Sequence, residues 1–178
     1  MTSTDHDLVI LIDESDLAVG ILDKLAAHRR GLLHRAISVI VEDGAGRLLL
    51  QKRAAAKYHS GGLWTNTCCS HPRPGEAVSV AAERRLKEEM GITLSLTPLF
   101  VARYHAPVSN GLVENELVHV FGGRFAEAPL PDPGEAEDWR YAGIDSIERE
   151  IAAEPDRFSI WFRKYLMDFR GALPTGGR

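Results

Sequence analysis

"SHPRPGEAVSVAAERRLKEEMGI", residues Ser70 to Ile92, is the stretch on which the fold turns. A Pro-x-Pro-Gly turn (Pro72 to Gly75) leads into a charged helical pattern. Val78, Ala82, Leu86 and Met90 fall four apart, which puts them on one face of a helix predicted over Glu76–Met90, and Gly91 stops it. Glu76, Glu83, Arg84, Glu88 and Glu89 form a dense charged set along the same run. Carboxylates one turn apart share a helix face. Their hard oxygens suit Mg²⁺, which in turn bridges to phosphate oxygens. An ordinary solvated helix laced with ion pairs fits the pattern too, so the neighbouring residues have to decide.

Immediately upstream, Asn66 to Pro72 reads NTCCSHP and holds the chain's only two cysteines. In an extended segment alternate side chains point to opposite sides. One thiol then faces the core, and Cys68 reads as a small buried hydrophobe. Cys69 shares a side with His71 and is the candidate for chemistry. Zinc at Cys69 is conceivable, but no CxxC pair accompanies it.

Outward from this segment the pattern is strand-rich. Strands are expected at Leu8–Ile12, Ala36–Glu42 and Arg47–Lys52, the last two joined by the turn Asp43 to Gly46. Ile21–His28 reads as a short turn or helix, and residues 54–63 as a loop. Strands follow at roughly 92–106 and 112–125, then a Pro- and acid-rich loop over Ala126–Glu137. Helices are expected near Ile144–Ala153 and Phe158–Phe169. Residues 1–170 read as one domain, with 171–178 a frayed, disordered tail. Strands flanked by helices indicate α/β or α+β.

Composition narrows the function. With 178 residues, 44% of them hydrophobic, the chain can bury a substantial core. A net charge of −4 argues against a nucleic-acid partner. No run of 18 apolar residues marks a membrane span, and the start lacks the basic region of a typical signal peptide. Two adjacent cysteines cannot build a disulfide framework and bridge only with strain. A reduced, cytoplasmic protein acting on a small molecule is expected; oligomeric state is not legible.

Two further clusters carry possible chemistry. Glu114 and Glu116 flank Asn115, so on a strand both carboxylates face one side; an exposed strand edge would show the same alternation. His28, His34 and His71 each stand beside an element end. With the two glutamates they could make an N/O site for Mn²⁺, Zn²⁺ or Mg²⁺. His6, His59, His105 and His119 read as surface or capping residues.

Taken together these residues resemble the type 1 isopentenyl-diphosphate isomerases of the Nudix superfamily. Ser70–Ile92 matches the Nudix box except at two places. Ser70 stands where the box has Gly, and Arg85 where it has a metal-binding Glu, which argues against diphosphate hydrolysis. The other matching stretches are KLAAH, LLHRAIS, QKRAAAKYHSGGLWTN, CCSHP, RYHA, GLVENELV and RFSIW, spread over about residues 20–165.

The resemblance implies a Nudix α/β/α sandwich with a mixed sheet and an N-terminal extension bearing His28 and His34. It implies Cys69, Glu116 and Tyr104 as catalytic residues. His28, His34, His71, Glu114 and Glu116 would hold the catalytic metal, and Glu89 the Mg²⁺ that arrives with the diphosphate. Lys24, Arg53, Lys57 and Trp161 would contact substrate. The implied reaction interconverts isopentenyl and dimethylallyl diphosphate in isoprenoid biosynthesis. The alternatives are a Nudix hydrolase of a nucleoside diphosphate derivative, a silent binding domain on the same fold, and a structural zinc protein.

Overall fold

The computed structural model describes residues 8–174. The chain runs β1 (Leu8–Ile12), β2 (Ala18–Asp23), α1 (Lys24–Arg30), β3 (His34–Glu42), β4 (Arg47–Arg53), β5 (Trp64–Thr65) and β6 (Cys68–Ser70). It continues through α2 (Val78–Met90), β7 (Thr97–Pro107), β8 (Val113–Arg124), β9 (Ala136–Gly143), α3 (Ile144–Ala153) and α4 (Ile160–Phe169). Among the described residues the strands join in one mixed sheet.

β3 is its hub. It runs parallel to β8 from the pair His34–Glu116 to the pair Glu42–Arg124. It pairs antiparallel with β6, where Ser38 faces Cys69. β8 is flanked on its other side by β7, antiparallel, with Tyr104 opposite Glu116. β8 is therefore an interior strand, not an exposed edge, and Glu114 and Glu116 are 4% and 6% exposed.

Side chains alternate across this sheet, so each strand feeds two cores. Ala36, Ile40, Leu48, Leu50, Val118 and Val120 pack under α3 and α4, against Ile147, Trp161, Phe162 and Tyr165. Ile37, Val39, Val41, Leu49 and Cys68 pack under α2, against Ala81, Ala82, Leu86 and Met90. Each large side chain buried this way contributes roughly 1.5–3 kcal/mol. The result is helix, sheet and helix in three layers, as expected.

Several boundaries differ from the sequence reading. α2 begins at Val78, because Glu76 is used before the helix. Its carboxylate accepts from the Arg73 amide at 2.8 Å and takes a two-pronged bond from Arg84 at 2.7 and 2.8 Å. Residues 21–23 belong to strand β2, and only then does α1 start, capped by the Asp23 carboxylate on the Ala26 amide. β7 begins at Thr97, after a connection from Gly91. β9 was not expected; it begins inside the acid-rich stretch and pairs along β4. His34 stands on β3 itself, and only His28 lies on the N-terminal extension. In the expected tail, Leu173 is buried in the core beneath α3 and α4, so residues 171–174 are not frayed; residues 175–178 lie outside the described residues.

The acid-rich segment has a structural task. The amides of Leu130 and Asp132 each donate at 2.9 Å, to the carbonyls of Met90 and Glu89, completing the open end of α2. The chain turns there through Gly91 at φ +68°, where an added Cβ would lie 2.6 Å from the Leu130 carbonyl oxygen. Gly91→Ala is therefore expected to cost more than about 1 kcal/mol, from left-handed strain plus the clash. Urea unfolding of the two proteins measures this; an unchanged midpoint would show that the turn relaxes freely.

Candidate active site

One carboxylate oxygen gathers three imidazoles. Glu116 Oε1 lies 3.0 Å from His71 Nε2, 3.3 Å from His34 Nε2 and 3.9 Å from His28 Nε2. His34 reaches it across the β3–β8 ladder, His71 from the end of β6, and His28 from α1. The other ring nitrogens are already engaged. His28 Nδ1 lies 2.7 Å from the Lys24 carbonyl and His34 Nδ1 2.8 Å from the Leu32 carbonyl. A carbonyl only accepts, so Nδ1 carries the proton and Nε2 keeps a free lone pair. Both Nε2 atoms are buried and make no hydrogen bond. Two orphaned lone pairs beside a carboxylate are the donor set a divalent cation requires. His28, His34, His71 and Glu116 offer ligand atoms within 4.8 Å of one another.

Glu114 falls outside that group; with His28 and His59 it forms a second set of potential ligand atoms within 4.8 Å of one another. The Tyr104 hydroxyl donates to Glu114 and, at 2.8 Å, to Glu116. Burial and then the neighbouring Glu116 charge push the Glu114 carboxyl well above its ordinary range. Burial acts the same way on Glu116, but the His34 and His71 contacts outweigh it and hold that group well below. Burial, followed by the two carboxylates, raises the Tyr104 phenol.

Cys69 lines the same cavity from β6. Its Sγ donates to Asn66 Oδ1 at 3.2 Å and lies 3.2 Å from Ser38 Oγ. Burial pushes its thiol up to about 12, so the proton stays on sulfur at neutral pH. Cys68 is fully buried on the opposite face of the sheet, beneath α2. The alternation read from the sequence holds.

The cavity itself measures about 230 Å³, below the roughly 300–1,000 Å³ of sites for drug-sized ligands, which favours a small substrate. Its wall is rich in cations. Lys24, Arg53, Lys57, Arg84 and Arg85 all line it, as does Trp161. Lys24 Nζ sits 5.0 Å over the Tyr58 ring, and the Arg53 guanidinium 5.3 Å over the Trp161 ring. Lys57 pairs with Glu135. Glu89 lines the cavity from α2, but among the described residues it joins neither cluster of metal-capable side chains. It pairs with Arg85 at 2.7 Å and accepts from Gln51 at 3.2 Å.

Two participants escaped the sequence reading. Arg85 is a wall residue, signalled only as a departure from the box. His59, read as a surface or capping residue, is 3% exposed and lies 3.0 Å from Glu114 Oε1. His119, by contrast, pairs with Asp16 at 2.9 Å, away from this cavity.

Comparison with known proteins agrees with this geometry. Residues 32–162 match the NUDIX domain. A protein named isopentenyl-diphosphate Delta-isomerase 1, from Aromatoleum aromaticum, is 53% identical over 156 residues, covering 88% of each chain. The chain belongs to the type 1 isopentenyl-diphosphate isomerase family of the Nudix superfamily. A second member, from Burkholderia multivorans, is 49% identical over 170 residues and 96% of each chain. Among solved structures, DR0079 from Deinococcus radiodurans matches with a TM-score of 0.76 at 18% identity over 92% of this chain and 99% of that one. A MutT NUDIX hydrolase from Burkholderia pseudomallei matches at TM-score 0.61 and 23% identity, over 77% of this chain and 98% of that one. These structural likenesses establish the shared fold.

The buried imidazoles make metal-free stability depend on pH. Burial first, with neighbouring cations, lowers His59 to about 3; burial brings His71 to about 3 and lowers His28 from 6.5. Below 6.5 the unfolded chain binds protons that these folded rings refuse, so stability is full above 6.5 and falls as pH drops toward 3. The raised Glu114 opposes this, as one carboxyl against three rings. The melting temperature of the chelator-treated protein is expected to fall from pH 6.5 to pH 5. A flat or rising profile would contradict this electrostatic account.

Proposed function

We propose that this protein interconverts isopentenyl diphosphate and dimethylallyl diphosphate by proton addition and removal, as an isomerase of isoprenoid biosynthesis. The observation that carries the reading is one small cavity with complementary proton handlers and a cationic wall. Cys69 presents a protonated thiol, Glu116 an ionised carboxylate bridged to Tyr104, and the wall suits a diphosphate.

The reaction dictates these residue types. An unactivated alkene is a very weak base, so its proton donor has to be held in position. Protonation at the terminal carbon leaves a tertiary cation. Loss of a proton from the carbon next to the diphosphate ester then gives the product. Cys69 and the Glu116–Tyr104 pair are the two groups that give and take these protons. Trp161, 2% exposed, offers a π face that stabilises the cation without attacking it, worth about 2 kcal/mol when desolvated. Water would capture the cation, so the reaction requires its exclusion during turnover.

His28, His34, His71 and Glu116 fit a divalent cation, and Glu114, grouped with His28, would complete the set; Mn²⁺, Zn²⁺ and Mg²⁺ are all suited to the donors. Such an ion fixes positive charge beside the proton donors and raises their acidity. Arg53, Lys57, Lys24 and Arg85 would hold the diphosphate, and Glu89 would hold the Mg²⁺ that accompanies it. Arg85 also separates this reading from the hydrolase alternative: where a hydrolase box has a carboxylate for metal, this chain has a cation paired to Glu89. Among the described residues no helix is long and apolar enough to cross a membrane. The reading is of an enzyme working in the cytoplasm on a small molecule, with neither nucleic acid nor membrane as partner.

The test is incubation with isopentenyl diphosphate, Mg²⁺ and Mn²⁺ in deuterated water. Dimethylallyl diphosphate carrying deuterium in its new methyl is expected. Cys69→Ala is expected to lose nearly all turnover, at least about 10²-fold for removal of a positioned proton donor or acceptor. Cys68→Ala should keep most of it. No isomerised product from folded, metal-loaded protein would sink the assignment; phosphate release from a nucleotide panel would replace it with hydrolysis.

A further inference from the structure

His59 lies within the matching stretch Gln51–Asn66, where the resemblance assigns it no role, yet it touches three working parts of the cavity. Its Nε2 is 3.0 Å from Glu114 Oε1. Its ring meets the Trp161 ring edge-on, with centroids 6.1 Å apart. Its carbonyl accepts from the Arg53 guanidinium at 3.2 Å.

The hydrogen-bond inventory separates its role from that of the other histidines. His28 and His34 each give the Nδ1 proton to a carbonyl and keep Nε2 as a lone pair. His59 is wired the other way. Its Nδ1 lies 3.2 Å from the Ser60 hydroxyl, which can donate to it. Its Nε2 faces Glu114, a carboxylate that, as a metal ligand, only accepts. The tautomer that satisfies both contacts has the proton on Nε2. His59 is thus built to donate toward Glu114, whereas His28 and His34 are built to ligate.

The loop carrying His59 is fixed to the strand carrying Glu114. The Ser60 amide donates to Ser109 Oγ at 2.9 Å, and the Asn110 side chain donates to the Tyr58 carbonyl at 2.8 Å. Both partners belong to the turn that leads into β8. Gly61 lets the loop close, since a Cβ there would lie 2.5 Å from the Ala55 carbonyl oxygen. We infer that His59 is a positioning residue, whose Nε2–H aims the Glu114 carboxylate at the metal-binding cluster and ties that carboxylate to the Arg53 diphosphate wall.

This inference rests on Glu114 serving as a metal ligand in the isomerase reading. Partners that orient a metal ligand typically matter 10–100-fold in metal affinity. The experiment measures Mn²⁺ affinity by electron paramagnetic resonance, alongside kcat and KM for isopentenyl diphosphate. It compares wild type, His59→Ala, His59→Gln, Glu114→Gln and the His59→Ala/Glu114→Gln double variant. His59→Ala should weaken Mn²⁺ binding by about 10-fold or more and lower kcat with KM little changed. His59→Gln, whose amide can donate in place of Nε2–H, should restore most of both. In the double variant, His59→Ala should add nothing to the loss from Glu114→Gln. Wild-type Mn²⁺ affinity in His59→Ala, or fully additive losses, would overturn the inference. Should His59→Ala fail to fold, His59→Gln is compared with the shorter His59→Asn, and equal Mn²⁺ affinity in the two would overturn it. Because Mn²⁺ binding is read without turnover, an inactive wild type that binds Mn²⁺ through Glu114 would reject the isomerase reading while leaving this one to stand or fall on the variants.

Discussion

The parallel ladder between β3 and β8 brings His34 opposite Glu116, and the rest of the site depends on that register. The antiparallel ladder to β7 puts Tyr104 opposite the same residue from the other side. Three adjacent strands thus deliver an imidazole, a carboxylate and a phenol to one row. A slip of one residue would turn Glu116 to the α2 side and bury its charge among aliphatic groups. The hydrophobic alternation that holds α2 on one face and α4 on the other therefore also fixes this polar row.

Burying two carboxylates two residues apart is costly, and the cluster shows how the fold offsets it. Glu116 lies among three imidazoles and stays ionised. Glu114 has the Tyr104 hydroxyl and His59, but burial and then the Glu116 charge push it the other way. Two like residues in one strand acquire opposite proton affinities from what surrounds them. A bound cation would relieve the repulsion between them, and the Nε2 lone pairs of His28 and His34 could ligate one. Cys69 stands apart: burial keeps its proton on sulfur, against the opposing pull of its hydrogen bonds to Ser38 and Asn66.

α2 shows how one Nudix helix can serve a different task. Glu76 and Arg84 lock its approach, and the acid-rich segment closes its far end. Arg85 occupies a box position with a guanidinium and pairs with Glu89 and Glu135. Glu135 also holds Lys57. Cations and carboxylates thereby alternate along this wall of the cavity.

Local pattern carried much of this protein's identity. The four-residue spacing of Val78 to Met90, the alternation that separates Cys68 from Cys69, and the Glu114/Glu116 pair were legible because each rests on short-range periodicity. Other features had no local signal. β9 lacks a clean alternation and becomes a strand only because β4 offers it an edge. β2 is largely exposed and is defined by pairing with β1. His59 sits in a loop rich in small residues, and nothing near it in sequence announces Glu114. Sequence alone determined which residue types were present and which shared a face. Only the tertiary structure decided which of them meet, because the register of β3 on β8 and the docking of residues 54–63 on the turn before β8 join positions far apart in the chain.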